Sequence, residues 1–185
     1  QHKAIYFANG NSKFAIVRTG GYIDYGFGGF IYQRDGGVTL PTSGQAKFVG
    51  DYMGLRDFDG MAGLEYTVAE MEINIDFDDF NDGAGVKGVL RDREVYDQTG
   101  ALITQDVLDA LNTEKSTSLT ALPLVIIDVT TGAVTANGEM QGTLRSFVGA
   151  DAFETGNYYA VLSGTDADEV VGIVTFTADD PRFDN

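Results

Sequence analysis

The segment from residue 70 to residue 78 alternates strictly between apolar and polar side chains. The apolar members are Met71, Ile73, Ile75 and Phe77, and the polar members are Glu70, Glu72, Asn74, Asp76 and Asp78. Because successive side chains of a β-strand point to opposite faces, this pattern predicts a strand with one face in a core and the other in water. Strands of parallel sheets usually read as continuous apolar runs, so the sheet is predicted to be antiparallel.

Turn signals divide the rest of the chain into short strand-like segments. Asn9-Gly10 lies between residues 3–8 and 12–18, which predicts a β-hairpin with a two-residue turn. The 24 glycines among 185 residues exceed the average usage of about 7%, and they fall mostly between apolar stretches. About ten strands are expected on this basis.

One helix is predicted between residues 103 and 112. Ile103, Val107, Leu108 and Leu111 fall on one face at helical spacing. Thr104 is expected to cap the N-terminus and Asn112 to end the helix, which gives about two turns. Many short strands with frequent turns and a single helix predict an all-β sandwich or barrel, and closure into a barrel would remove exposed edges. Glycines inside predicted strands, such as Gly88, Gly142 and Gly172, suit the tight coiling of a small barrel.

Charge and composition exclude several function classes. The formal net charge of −16 would repel phosphate backbones and anionic lipid surfaces, so no nucleic-acid or direct membrane partner is expected. We interpret this charge as favouring solubility, with steering of a cationic partner as the alternative. The sequence contains no cysteine, so it has no disulfide, no thiolate nucleophile and no cysteine metal site.

Three stretches carry a resemblance to a known family. They are residues 44–54, GQAKFVGDYMG; residues 75–77, IDF, leading to residues 86–90, VKGVL; and residues 164–174, GTDADEVVGIV. Together they resemble the barrel of transferrin-binding protein B and its smaller relatives over residues 44–177. The last stretch is similar to that family's final hairpin, in which a Gly, an Ala and a Glu precede a strand rich in Val and Gly.

This resemblance implies an eight-stranded antiparallel barrel in residues 41–185, preceded by an N-terminal β-ribbon in residues 1–40 that acts as a reduced handle. It also implies an exported, monomeric lipoprotein on the outer membrane or cell surface of a Gram-negative bacterium. The lipid-bearing cysteine is missing from the sequence and is expected to have been trimmed. The chain is too short for a two-lobed transferrin receptor, so transferrin binding does not carry over. Single-barrel relatives bind unrelated partners, and the fold leaves the function open.

Residues typical of catalysis or metal binding are sparse. His2 is the one histidine and lies near the end of the sequence, so neither a Ser-His-Asp triad nor a multi-histidine metal site is expected. The acidic run at residues 76–83 lacks the spacing of a calcium loop and is interpreted as a solvated strand face that ends in a turn. With 28 acidic residues, a pair of close carboxylates says little about glycosidase chemistry. The chain is therefore predicted to be a non-enzyme without a cofactor.

An aromatic cluster is the best candidate for recognition. Tyr22, Tyr25, Phe27, Tyr52 and Arg56 are the candidate partner-binding residues, because Tyr and Arg are favoured at interface hot spots. The alternative is that these rings fill the gap between ribbon and barrel, and the alternation of Phe30 and Tyr32 on one strand face favours this packing role.

Two functions follow from these observations. The first is binding of a macromolecular partner through the barrel loops. The alternative is a barrel that binds a small ligand, for example haem or another nutrient, with His2 or a tyrosine as an axial ligand in the haem case. A core filled by Phe77, Leu90, Leu144 and Phe176 would count against this alternative.

Overall fold

The computed structural model describes residues 2–19, 27–78 and 84–183. These residues form ten strands and one helix: β1 (His2–Ala8), β2 (Ser12–Thr19), β3 (Gly28–Arg34), β4 (Gln45–Phe58), β5 (Met61–Asp76), β6 (Gly85–Tyr96), α1 (Thr104–Lys115), β7 (Val125–Thr130), β8 (Glu139–Val148), β9 (Asp151–Ser163) and β10 (Glu169–Thr177). The strands build a three-stranded sheet, β1-β2-β3, and a seven-stranded sheet in which β4 to β10 follow one another. The predicted all-β fold with one short helix is confirmed.

The seven-stranded sheet is an antiparallel meander that curls into a nearly closed barrel. It has one strand fewer than the eight expected from the sequence. In a meander of seven strands the first and last run in the same direction, so β4 and β10 are parallel, and the two are not hydrogen-bonded to each other. An all-antiparallel barrel closes with an even number of strands. An open slot therefore remains between β4 and β10.

A packed apolar core joins strands β5 to β9 of the barrel. Ile73 and Ile75 of β5 are buried in it, and Met71 and Phe77 pack against it from partly buried positions. The alternation that predicted this strand is thus confirmed in the structure. Leu90 and Leu144 from other strands are fully buried beside them, with Phe176 at the edge of the core. The four expected core residues are thus either fully buried in this cluster or packed against it.

Glycines allow the tight coiling of the sheet. A Cβ at Gly88 or Gly172 would collide with a backbone oxygen of the neighbouring strand. At Gly142 an added Cβ would lie 2.7 Å from the ring of Tyr158, which occupies the space over this glycine. These three positions support the expectation that strand glycines serve close approach in a small barrel.

Helix α1 packs against β6 of the barrel. Val107, Leu108 and Leu111 are its buried residues, and Val107 and Leu108 pack with Val95 of β6 and with Leu122 in a second small core. The predicted apolar face of the helix is confirmed. Within the described residues, no helix is long and apolar enough to cross a membrane.

Both predicted ends of the helix are wrong. The Thr104 hydroxyl accepts a hydrogen bond from the backbone N–H of Val95 at 2.8 Å, so it ties the helix to β6 and does not cap it. Ile103 is the N-cap, without a side-chain cap bond. The helix continues past Asn112 to Lys115. The Asn112 side chain does not end the helix, because it donates to the carbonyl of Leu119 and accepts from the N–H of Leu119 in the loop that follows.

The N-terminal hairpin is present, but its turn is longer than predicted. Ala8 pairs with Lys13, which leaves four residues in the loop. The Asn9 carboxamide oxygen accepts hydrogen bonds from the N–H groups of Asn11 and Ser12 at 2.8 and 2.7 Å. This side chain holds the turn together, as short polar side chains often do in loops.

The three-stranded sheet lies across the slot and is called the roof below. Strands β2 and β3 contact β10, while β1 and β2 contact β4. Polar contacts hold both sides: Arg18 pairs with Asp57 of β4 at 3.2 Å, and Glu169 at the start of β10 accepts hydrogen bonds from Asn9 and Ser12. The roof therefore bridges the two open edges of the barrel.

Candidate functional site

A cavity of about 1410 Å³ lies between the roof and the slot. It is lined by successive residues of both edge strands, 47–59 and 168–177, and by residues 178–181 that follow β10. Small-molecule sites usually measure about 300–1,000 Å³, so this cavity has room for an elongated ligand. We call it the slot cavity.

The roof leaves apolar side chains over the cavity uncovered. Strand pairing places Ile5, Ile16 and Phe30 side by side on the inner face, and Phe7 and Phe14 follow on the same face. Ile5 is buried, but Phe7 and Phe30 stay 45% and 42% exposed although they face the barrel. Because these rings are only partly covered, the space beneath them is unfilled and accessible to an apolar group.

A bulge in β6 and regular alternation in β9 turn one charged side chain each toward the barrel interior. In β6, Asp92 (φ 53°) and Arg93 both lie opposite Ala69 of β5, so that Leu90 and Arg93 face the same side. In β9, Glu154 is buried on the same face as Tyr158 and Ala160. Bulges of this kind re-aim side chains and often lie beside functional sites.

Arg93 and Glu154 both line the cavity and form a buried ion pair. We call this part of the cavity its polar end. Two hydrogen bonds of 2.7 and 2.6 Å join the guanidinium to the two carboxylate oxygens, and each side chain is only 7% exposed. Glu154 also accepts a hydrogen bond from the Ser146 hydroxyl at 2.6 Å, and Arg93 donates to the carbonyl of Pro123 at 2.8 Å. This bidentate geometry fixes both side chains in place.

Two buried donors beside the cavity have no hydrogen-bond partner within the described ranges. They are the Nε–H of Arg93 and the hydroxyl of Tyr158, whose residue is 2% exposed. A buried polar group without a partner costs roughly 1–3 kcal/mol, so such groups call for an explanation. Both residues line the slot cavity. A ligand that offers acceptor atoms would satisfy them.

The tyrosines of the cavity are kept uncharged. Burial raises the pKa of Tyr52 to about 12, with the positive charge of Arg93 opposing this effect and the negative charge of Glu154 adding to it. Burial also raises the pKa of Tyr158. Both hydroxyls are therefore neutral near pH 7 and available as donors.

The chain after β10 closes the polar end of the slot. Residues 178–183, called the C-terminal clasp below, return to β4 and β5. Arg182 makes two hydrogen bonds of 2.9 Å to Glu65, and Arg56 reaches Glu65 and Asp180 at 2.7 and 2.8 Å. Burial would raise the pKa of Asp180, but hydrogen bonds from Arg182 and the charge of Arg56 outweigh it and lower the pKa. The two arginines and two carboxylates balance in charge.

The predicted recognition residues occupy different places. Tyr52 and Arg56 lie on the same face of β4 and line the slot cavity, Tyr52 near the buried ion pair and Arg56 in the network with the clasp. Phe27 is 75% exposed at the start of β3, with its N–H bonded to the Thr19 hydroxyl at 2.7 Å. Tyr22 and Tyr25 lie outside the described residues. The expected face shared by Phe30 and Tyr32 is present.

The other candidates from the sequence add no site. His2 is exposed in β1 and does not line the slot cavity. The acidic run is described only up to Asp78, and its remainder lies outside the described residues. Within residues 2–19, 27–78 and 84–183, no group of three or more His, Cys, Asp or Glu residues is arranged to hold a metal ion.

Three residues of the site were missed from the sequence: Arg93, Glu154 and Tyr158. In residues 91–94, RDRE, the charges suggest a solvated strand, and the bulge that turns Arg93 inward leaves no clear sequence signal. Tyr158 does carry one, because Gly142 makes room for its ring on the paired strand.

No protein family, characterised protein or solved structure matches this chain. The resemblance to the transferrin-binding protein B barrel therefore stays a prediction, and the function must be inferred from the geometry of the slot cavity.

Proposed function

We propose that this protein is a non-enzymatic binding protein that holds an elongated amphipathic small molecule in the slot cavity. The carrying observation is a cavity of about 1410 Å³ with an apolar roof and a polar end. The apolar body of the ligand would lie beneath Phe7 and Phe30, and its polar head would lie near Arg93. Ligand sites commonly combine apolar walls with a few fixed polar groups in this way.

The filled core limits where the ligand can bind. Leu90 and Leu144 are fully buried, and Phe77 and Phe176 pack against the same cluster. The part of the barrel around Phe77, Leu90 and Leu144 is thus packed, which counts against a ligand held there. The slot cavity borders this core, since Tyr158 and Phe176 belong to both, and it extends between the open edges and the roof.

The pairing of charges supports binding over hydrolysis. Glu154 is held by Arg93 and Ser146, while Glu65 and Asp180 are held by Arg56 and Arg182. A general acid needs a raised pKa, and a nucleophile must reach its substrate. Carboxylates that are fixed by arginines and hydrogen bonds meet neither need.

A fluorescent apolar probe, N-phenyl-1-naphthylamine, tests the proposal. The protein has no tryptophan, so the emission of the probe is read against a low background. Gly50 lines the cavity on the same side of β4 as Tyr52, and an added Cβ there meets nothing within 4 Å. Gly50→Leu should narrow the cavity beside Tyr52 and weaken probe binding at least tenfold. The control, Val129→Leu, enlarges an exposed side chain of β7 that does not line the cavity and should bind like the wild type.

Two results would refute the proposal. One is the absence of probe binding by the wild-type protein, and the other is equal binding by Gly50→Leu and the wild type. Circular dichroism and thermal unfolding of both variants must first show that the fold is kept.

A second candidate function is binding of a macromolecular partner through the outer face of the roof. Tyr6, Val17 and Ile31 are 70%, 46% and 65% exposed there, and Tyr6 and Ile31 flank Ala15 across the three strands. None of the described elements covers this apolar stripe, and exposed apolar patches often mark interaction sites. A location on the cell surface with a lipid anchor remains part of this proposal and rests on the family resemblance.

Capture experiments with the native source proteome test this second function. Ile31→Glu places a charge in the stripe and should abolish capture of a specific partner, whereas Gln33→Glu adds the same charge two residues along the same strand face and should not. Equal capture by both variants would refute a role for the stripe.

A further inference from the structure

We infer that the head group of the bound molecule is uncharged and carries acceptor oxygens, such as a hydroxyl, ester or amide, which receive the Nε–H of Arg93 and the hydroxyl of Tyr158. This inference rests on the proposed function, because it specifies the ligand class for the same slot cavity.

The hydrogen bonds of Arg93 use its two terminal nitrogens and leave Nε without a partner. Both terminal nitrogens bind Glu154, and one of them also binds the carbonyl of Pro123. The guanidinium lies 5.6 Å above the ring of Phe176, which adds an apolar neighbour. Nε is therefore the one nitrogen of this side chain without a hydrogen-bond partner in the described structure. A donor that is buried beside a cavity and unpaired points to an acceptor supplied from outside the chain.

The second donor belongs to a ring that is held in place. Tyr158 is 2% exposed, and its ring lies over Gly142, where a side chain would clash. The hydroxyl is buried and has no partner among the described groups. Since the ring cannot turn out to water without leaving this position, its hydroxyl is also matched best by an acceptor on a ligand.

The charge balance selects a neutral head group. The positive charge of Arg93 is matched by Glu154, and those of Arg56 and Arg182 are matched by Glu65 and Asp180. An anionic head would find no unmatched cation at the polar end. Across the whole lining, acidic residues outnumber basic ones by eight to four, which further disfavours an anion. Burying an unpaired ion costs several kcal/mol.

A cationic head group is disfavoured at the same place for a different reason. Glu154 already accepts hydrogen bonds from Arg93 and Ser146, and what remains unpaired around it are donors. A cation brings further donors and no acceptor. It would leave both the Nε–H of Arg93 and the Tyr158 hydroxyl without partners.

The test uses three amphipaths with the same alkyl tail and different heads: an alkyl alcohol, the matching alkanoate and the matching alkylammonium. Each amphipath competes with N-phenyl-1-naphthylamine for binding to the protein. The alcohol should displace the probe at a concentration at least tenfold lower than either ion. Tyr158→Phe should weaken alcohol binding about fivefold relative to the probe, whose affinity is measured separately in the same variant; fivefold is the usual size for one lost hydrogen bond. Tyr66→Phe, on β5 and outside the lining of the slot cavity, is the matched control and should have no effect.

A second variant tests the arginine without leaving a buried charge. The double substitution Arg93→Met with Glu154→Leu removes both ions together, and the alcohol should then bind more weakly in the double variant than in the wild type. Equal displacement by all three heads, or tighter binding of either ion, would overturn this inference and leave the proposed function intact. Failure of the probe itself to bind would overturn the proposed function.

Discussion

Removing one member of the buried pair should destabilise the protein strongly. In Glu154→Leu the guanidinium of Arg93 stays 93% covered beside Phe176 without its counter-ion. Breaking a buried pair from one side typically costs about 3–5 kcal/mol. A domain of this size loses roughly 2–4 °C of melting temperature per kcal/mol, so a decrease of about 6–20 °C is expected. Arg93→Met should cost a similar amount, since it leaves Glu154 buried with Ser146 as its remaining partner.

The double variant separates the pair from its surroundings. Arg93→Met with Glu154→Leu leaves no buried charge, but the carbonyl of Pro123 and the hydroxyl of Ser146 lose their partners. That loss costs about 1–3 kcal/mol, well below the sum of the two single variants. The double-mutant cycle should therefore give a coupling energy of several kcal/mol.

Urea unfolding followed by far-UV circular dichroism at neutral pH measures all three variants. Thermal unfolding of the same samples gives the melting temperatures. A cost below about 1 kcal/mol for either single variant would refute the reasoning, because it would mean that water already reaches the pair. Additive costs in the double variant would also refute it, since two independent charges have no coupling.

Three further predictions concern other parts of the barrel. Gly156→Ala should cost about 1–3 kcal/mol in urea unfolding, because the new Cβ would strike the backbone oxygen of Thr175, whereas Gly50→Ala has open space and should change stability by less than about 0.5 kcal/mol. The lowered pKa of Asp180 means that its stabilising contribution is present above the ordinary value of 3.8 and is lost as pH falls through the lower folded value. Asp180→Asn should therefore destabilise the protein at pH 7 and cost progressively less as the pH falls below 3.8, and a cost that did not change with pH would contradict it. Burial raises the pKa of Tyr52 from its ordinary value of 10.0 to about 12. The free energy of unfolding should therefore fall as the pH rises from 10 to 12, and it should fall less steeply in Tyr52→Phe. Unfolding midpoints across that range decide this last point.

Local patterns predicted the elements of the fold well. The alternation around Ile73 and Ile75 identified a strand that buries one face, and the spacing of Val107, Leu108 and Leu111 identified the helix. The strand alternation and the helical spacing each depend on residues a few positions apart. They therefore predict the element correctly in any tertiary structure that buries the same face. The ends of the helix were wrong because contacts from outside the helix, to Val95 and Leu119, use the side chains that were expected to cap it.

The site was less accessible to sequence reasoning because it depends on pairing between distant segments. Arg93 faces inward only because β6 carries one more residue than β5 at Asp92. Glu154 faces inward by alternation with Tyr158 and Ala160, but its charge predicts a solvent-exposed position. Tyr52 and Arg56 were predicted to act together, and strand alternation does put them on one face of β4. That this face borders a cavity follows from the barrel's remaining open, which no local pattern records.

The opening of the barrel and the site beneath the roof have the same origin. Seven antiparallel strands leave β4 and β10 parallel and unpaired, and unprotected edges of this kind invite pairing with other chains. The roof covers them, held by Arg18 to Asp57 on one side and by Glu169 on the other. Since the roof spans the slot as a separate sheet without adding an eighth strand, its apolar inner face meets open space. The arrangement that protects the edges therefore also creates the slot cavity, so a variant that closed the barrel with an eighth strand would be expected to lose the binding site.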